Sequence, residues 1–315
     1  MFDYKKSEVL FNEKFVPFKD ANISIASSSV LYGLTVYTVF MANWNEKQQK
    51  LYIFRLKDHF DRLVNSARIM DLHQFANEYT YEKFEKNMLE LLRSNNIQES
   101  VLVRTAVFID ELTAGTKIHD LKNSFSAYIY PMAEILPGTG MHCCVSSWQR
   151  TPDNPIPPRA KINGSYINAS LMKNEAILNG YDEAIALDQH GHVAEGTVAN
   201  LFIVRDGVLL TPDNSTDILE GITRNTIIHL ANELGIKIKL TTIDRSELYI
   251  ADEVFMCGSS AKITPVLSVD KRPINNQKIG KITQMLSAQY DDLLHARVED
   301  KRGWLHEVYK NHLTI

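Results

Sequence analysis

Ala160-Lys161-Ile162-Asn163-Gly164-Ser165-Tyr166 and, further on, Glu195-Gly196-Thr197-Val198-Ala199-Asn200-Leu201-Phe202 decide how this sequence is read. Taken alone, a lysine is a solvated surface residue. Lys161, however, lies between apolar Ala160 and Ile162 and just before Gly164, where a bare backbone permits close approach of another group. A half-buried lysine loses affinity for its proton, and its amine becomes a usable nucleophile. Glu195 ends an apolar strand, Val193-Ala194-Glu195, where an edge glutamate would otherwise simply face water. Leu219-Glu220-Gly221-Ile222-Thr223-Arg224 then opens a helix. The free N–H groups of a helix start attract an anion, and a threonine hydroxyl adds a donor.

An amine to hold an aldehyde, an acid to charge a ring nitrogen and donors to grip a phosphate together read as a pyridoxal 5′-phosphate site. Glu195 beneath the pyridine nitrogen would keep the ring protonated, so that it can withdraw electrons from a substrate carbanion. Tyr166 is placed to hydrogen-bond the phenolic oxygen of the cofactor. Arg62, beside the apolar stripe of its helix, is a candidate for bidentate pairing with the phosphate. Gly258-Ser259-Ser260-Ala261 follows a strand, and its small residues and N–H groups suit a phosphate or a substrate carboxylate.

The bulk numbers agree with an enzyme of ordinary composition. The chain has 315 residues, 44% of them hydrophobic, enough to bury a sizeable core. Its 34 basic and 38 acidic residues leave a net charge of −4 without a basic cluster, so no nucleic-acid partner is expected. No apolar run approaches the ~18 residues of a membrane span. The start, Met1-Phe2-Asp3-Tyr4-Lys5-Lys6, lacks an apolar signal core, so a cytoplasmic protein away from membranes is expected. Cys143, Cys144 and Cys257 are read as free thiols of a reducing compartment. The histidines have no metal-ligand spacing, so no metal is expected.

Periodicity predicts a hairpin over 9–16, helices over 57–70 and 81–92, and a buried strand over 101–109. Pro137-Gly138-Thr139-Gly140 breaks the pattern. It suggests an N-terminal α/β domain over 1–133, a linker over 134–142 and a larger cofactor-binding domain over 143–315. In the second half a strand is expected over 143–148, a helix over 166–179 stopped by Gly180, a hairpin about Asp206-Gly207, a helix from Thr223, a half-buried strand over 236–240, a capped helix start at Asp244-Arg245-Ser246-Glu247 and a helix over 282–294. Strands and helices alternate irregularly, which favours an α+β (mixed α/β) fold.

On these residues the chain resembles the class-IV, fold-type-IV pyridoxal-phosphate enzymes of D-amino acid aminotransferase-like fold, and within them the branched-chain amino acid aminotransferases. The likeness runs from about Val9 to Tyr309 and is densest over 146–265. It rests on Ser146-Ser147-Trp148, Ala160-Lys161, Asp188 through Phe202, Asp206-Gly207-Val208-Leu209, Thr211, Gly221-Ile222-Thr223-Arg224 and Ala251-Asp252-Glu253-Val254-Phe255-Met256. The resemblance implies transfer of the amino group of L-leucine, L-isoleucine or L-valine to 2-oxoglutarate. It implies that Lys161 joins the cofactor and moves the proton at the substrate Cα, and that Glu195 meets the ring nitrogen and Tyr166 the phenolic oxygen. Arg62, Ile222, Thr223 and Ser259 would hold the phosphate, and Leu219 would pack on the ring. Ser259 and Ser260 would offer N–H groups to the substrate carboxylate, Arg104 would take the distal carboxylate of 2-oxoglutarate, and Tyr32 and Tyr37 would line the substrate side. Family members are homodimers with the site at the domain interface.

The substrate side departs from the pattern. Where the family carries Phe-Glu-Gly-Ile-Arg, this chain has Tyr37-Thr38-Val39-Phe40-Met41, and its Leu102-Val103-Arg104 keeps the arginine but lacks the preceding tyrosine of Tyr-x-Arg. A D-amino acid or (R)-amine transaminase, an aminodeoxychorismate lyase and a non-enzymatic homologue are the alternatives on the same scaffold.

Overall fold

The computed structural model of the chain describes residues 2–113, 115–132 and 136–309. The linker expected over 134–142 therefore falls partly outside the described residues. Helix and strand are mixed, in the fold-type-IV arrangement, and the contacts divide the chain into two compact units.

The first unit comprises Met1–Ala133, Ala160–Gly164 and Asp292–Ile315. Its seven-stranded antiparallel sheet is centred on Thr35–Asn45, Val101–Ile109 and Asn123–Pro131. Val101–Ile109 is the apolar, β-branched run read from the sequence, and Val101, Val103, Thr105, Val107 and Ile109 are all fully buried. The hairpin Glu8–Phe11/Lys14–Pro17 turns through Asn12 and Glu13, both at positive φ, as a two-residue turn requires. The helix Leu56–Ile69 buries Phe60, Leu63, Val64 and Ala67, and Tyr81–Ser94 buries Phe84, Met88 and Leu91, the helical stripes visible in the sequence. Phe84 lies 5.1 Å from Phe60, 6.3 Å from Phe40 and 6.0 Å from Phe125 between ring centroids. These contacts knit both helices to the sheet.

The second unit comprises Glu134–Arg159 and Ser165–Asp291 and holds a nine-stranded sheet. Asn200–Arg205, Glu253–Gly258, Lys262–Val269, Met141–Val145, Glu183–Leu187 and Val193–Gly196 follow one another, and the last pairs back to the first through Glu195 and Asn200. Six strands thus close into a ring. Side chains alternate across it. Met141, Cys143, Ile185, Leu201, Ile203, Val254, Met256 and Val266 form one core, while Cys144, Ala184 and Ala186 pack against Met172 and Ala176 of the helix Tyr166–Leu178. That helix ends at Gly180, whose φ of 76° lets Tyr181 N–H return to the Ala176 carbonyl.

Two elements differ from expectation. The strand anticipated over 143–148 is Met141–Val145, because Ser146 Oγ takes the Trp148 N–H and donates to Glu175, diverting the backbone from the ladder. The strand anticipated over 236–240 is Ile238–Leu240, an edge strand with Leu240 exposed. All three cysteines are buried free thiols, and burial pushes Cys144 up to about 11. Among the described residues no helix is long and apolar enough to cross a membrane, and no His, Cys, Asp and Glu cluster suits a metal ion.

Candidate active site

In the first unit the Lys161 segment is fastened to a strand and a helix at once. Tyr37 N–H donates to the Lys161 carbonyl at 3.0 Å, Lys161 N–H donates to Ser66 Oγ at 3.1 Å, and Ile162 bridges to Val36. Gly164 N–H donates to the Gly33 carbonyl at 3.2 Å. Gly33 has φ 68°, and a Cβ there would sit 2.8 Å from Gly164 Cα, so no other residue fits without moving this segment. The lysine backbone is therefore fixed while its amine extends to 5.1 Å from the Tyr37 ring centroid. A lysine whose main chain is held loses less freedom on bonding, which suits a nucleophile.

Arg104, Tyr37 and Asn163 meet in the same unit. Arg104 Cζ lies 3.6 Å from the Tyr37 ring centroid, and Nη2 donates to Asn163 Oδ1 at 3.1 Å. Arg62 Nη2 donates to Thr38 Oγ1 at 3.1 Å, which is 2.8 Å from His59 Nδ1. Burial, followed by the charges of Arg62, Arg55 and Lys161, holds His59 well below the usual histidine range, so its ring is neutral at pH 7. Tyr32 ends the short helix Ser28–Tyr32 and is exposed.

In the second unit Glu195, Leu219 and the start of the helix Ile222–Glu233 converge. Glu195 is buried; it pairs with Arg150 Nη2 at 2.9 Å and accepts from Asn200 Nδ2 at 2.8 Å and from Leu219 N–H at 3.3 Å. Asn200 Nδ2 also donates to the Leu219 carbonyl at 2.9 Å, so one amide clamps the glutamate to the turn before the helix. Gly221 is the N-cap and no side chain caps the helix. Ile222 and Thr223 open it, both buried, with Thr223 Oγ1 3.4 Å from Tyr290 OH. Arg224 is turned away from that end, donating to Thr211 Oγ1 at 3.2 Å and to the Pro212 carbonyl at 2.7 Å. Ser259 and Ser260 occupy the turn between Glu253–Gly258 and Lys262–Val269, closed by the Gly258–Lys262 pair. Tyr166 is the first residue of the helix Tyr166–Leu178.

Lys161, Tyr37, Arg104, Arg62 and Tyr32 thus belong to the first unit, and Tyr166, Glu195, Leu219, Ile222, Thr223, Ser259 and Ser260 to the second. Sequence reasoning did not identify Arg150, Asn200, Ser66 or His59 as partners. Asn200 stands within the Glu195-x4-Asn200 run already marked, without a role, and Arg150 lies two residues beyond Ser146-Ser147-Trp148.

Taken by itself, the second unit pairs an uncapped helix start, which complements a dianion, with a carboxylate backed by an arginine, which complements a ring cation. The first unit by itself supplies an amine on an anchored lysine.

Comparison with known proteins gives the family. Residues 35–269 match the family described as amino-transferase class IV. The chain is 39% identical over 301 residues to the probable branched-chain-amino-acid aminotransferase of Aquifex aeolicus, covering 95% of this chain and 96% of the relative. It is also similar to the branched-chain aminotransferase of Thermoproteus uzoniensis solved with norvaline, with a TM-score of 0.91 and 36% identity over 96% of this chain and 99% of that one. The Thermobaculum terrenum branched-chain amino acid aminotransferase in its PLP form gives a TM-score of 0.91 and 32% identity over 98% of this chain and all of that one (100%). The chain belongs to the class IV aminotransferases.

Proposed function

We infer that this protein is a branched-chain-amino-acid aminotransferase that uses pyridoxal 5′-phosphate to move the amino group of L-leucine, L-isoleucine or L-valine to 2-oxoglutarate. The observation that carries this is near-full-length likeness to branched-chain aminotransferases in a chain that retains Lys161, Tyr166 and Glu195. When bound, the cofactor supplies an aldehyde that accepts the amino group and a ring that stores the electron pair released from Cα.

Lys161 holds the cofactor through its amine and moves the proton at the substrate Cα. Its backbone bonds to Tyr37 and Ser66 limit the positions from which it does so. Glu195 binds the ring nitrogen, with Arg150 and Asn200 orienting its oxygens. Tyr166 binds the phenolic oxygen. Arg62, Ile222, Thr223 and Ser259 hold the phosphate, and Leu219 packs on the ring. Tyr37 and Tyr32 flank the aliphatic side chain, the Ser259–Ser260 turn binds the α-carboxylate, and Arg104 takes the distal carboxylate of the second substrate. The protein acts as a homodimer in the cytoplasm.

The test is a half-reaction panel on the purified protein, followed by cofactor absorbance. L-Leucine and L-glutamate should bleach the yellow band while D-alanine, an (R)-amine and aminodeoxychorismate leave it unchanged. Bleaching by the D-amino acid or the amine, or release of pyruvate from aminodeoxychorismate, would overturn the assignment. Borohydride reduction should leave the pyridoxyl mass on the peptide containing Lys161.

A further inference from the structure

We propose that Asn163 is a positioning residue for substrate recognition, holding Arg104 ready for the distal carboxylate of a dicarboxylic substrate. This rests on the transaminase reading above and deepens it, because it names what distinguishes L-glutamate and 2-oxoglutarate from the branched-chain substrates.

Arg104 lies in the middle of Val101–Ile109, opposite Val39 on one side and Tyr128 on the other. Tyr37 pairs with Ala106, two residues along, yet the guanidinium lies against the Tyr37 ring at 3.6 Å, close to van der Waals contact. The side chain therefore leans along the sheet rather than straight out of it. Its polar contact is the bond to Asn163 Oδ1 at 3.1 Å.

A guanidinium carries five N–H donors, so four remain after this bond. Among the described residues none makes an ion pair with Arg104. A half-buried arginine steadied by a neutral amide and an aromatic face keeps its charge and its fork for an incoming carboxylate. An aspartate at 163 would neutralise it instead.

Asn163 is suited to steady Arg104 because it cannot drift. It begins the turn Asn163–Ser165, between Ile162, bridged to Val36, and Gly164, bonded to Gly33. It also follows Lys161 by two residues. One short segment thereby sets the place of both the amine that works on Cα and the cation that reads the far end of the substrate.

The test uses the holoenzyme and stopped-flow half-reactions with L-glutamate and L-leucine. Asn163→Ala should raise the apparent Kd for L-glutamate about tenfold, the size of one lost hydrogen bond to a charged group. The value for L-leucine should stay within about twofold. Asn163→Asp, nearly identical in shape, should weaken L-glutamate further by pairing with Arg104, again sparing L-leucine. Either variant leaving L-glutamate unchanged, or both substrates weakening equally in both variants, overturns the proposal. Wild-type enzyme inert toward both amino acids would instead overturn the underlying transaminase assignment, and this proposal with it.

Discussion

Arg150 and Glu195 form an ion pair at 2.9 Å with only 12% and 7% of their side chains exposed. Desolvation of two charges is costly, and removal of one partner strands the other, with a loss of about 3–5 kcal/mol. Arg150→Met should therefore lower stability by roughly this amount, measured by urea unfolding of the apoprotein. Glu195→Gln keeps the shape and the Asn200 contact but removes the charge offered to the ring nitrogen. It should reduce turnover on the order of 100-fold or more, the scale for losing one preorganised electrostatic partner. Unchanged kcat in Glu195→Gln would be incompatible with the assigned role.

Gly221 is constrained by the same network. A Cβ there would lie 1.9 Å from Asn200 Oδ1. Asn200 is buried and donates to both Glu195 and Leu219, so it has no room to yield. Gly221→Ala should cost about 1–3 kcal/mol of stability as an overpacked site. It should also weaken cofactor retention in equilibrium dialysis, because the helix start and the glutamate shift together.

His59 gives the chain an acid-sensitive point. Its folded-state affinity for a proton is depressed by burial and by Arg62, Arg55 and Lys161, whereas in the unfolded chain it titrates near the usual histidine value of about 6.5. As pH falls through that value the unfolded state takes up a proton that the folded state refuses. Stability is then lost, approaching a slope of about 1.4 kcal/mol per pH unit from this group. Above about pH 7 neither state binds the proton and the group has no pH-dependent effect. His59→Gln should flatten the stability profile between pH 7 and 5 by about one proton, and an unchanged slope would show that His59 is protonated when buried.

Phe84 supports the first unit from the helix side, being fully buried with aromatic neighbours on both sheet and helix. Phe84→Ala should destabilise by about 3–5 kcal/mol, transfer and cavity terms together. A cost below about 1 kcal/mol in chemical denaturation would mean that the site collapses freely.

Much of the fold was legible locally. The run 101–109 is a strand because it is apolar and β-branched, and the stripes of Phe60, Leu63, Val64 and of Phe84, Met88, Leu91 can be satisfied only by helices with one buried face. Asp244 and Glu247 announced their capping box by spacing alone. The candidate site residues were marked on a similar local basis: Lys161, Glu195 and the Gly221–Thr223 turn stand in short motifs that suggest a chemistry without reference to a distant partner.

Contacts between distant segments were decided only in three dimensions. Nothing near Lys161 in the sequence says that Ser66 and Tyr37 will fix its backbone, or that Asn163 will hold Arg104, 59 residues away. Arg150 is likewise 45 positions from the glutamate it charges against. Hydrophobic periodicity determines which face of an element turns inward, because burial is a local balance for each side chain. Register between strands and the meeting of remote polar groups depend on how whole elements pack, and many pairings satisfy the same periodicity until packing selects one.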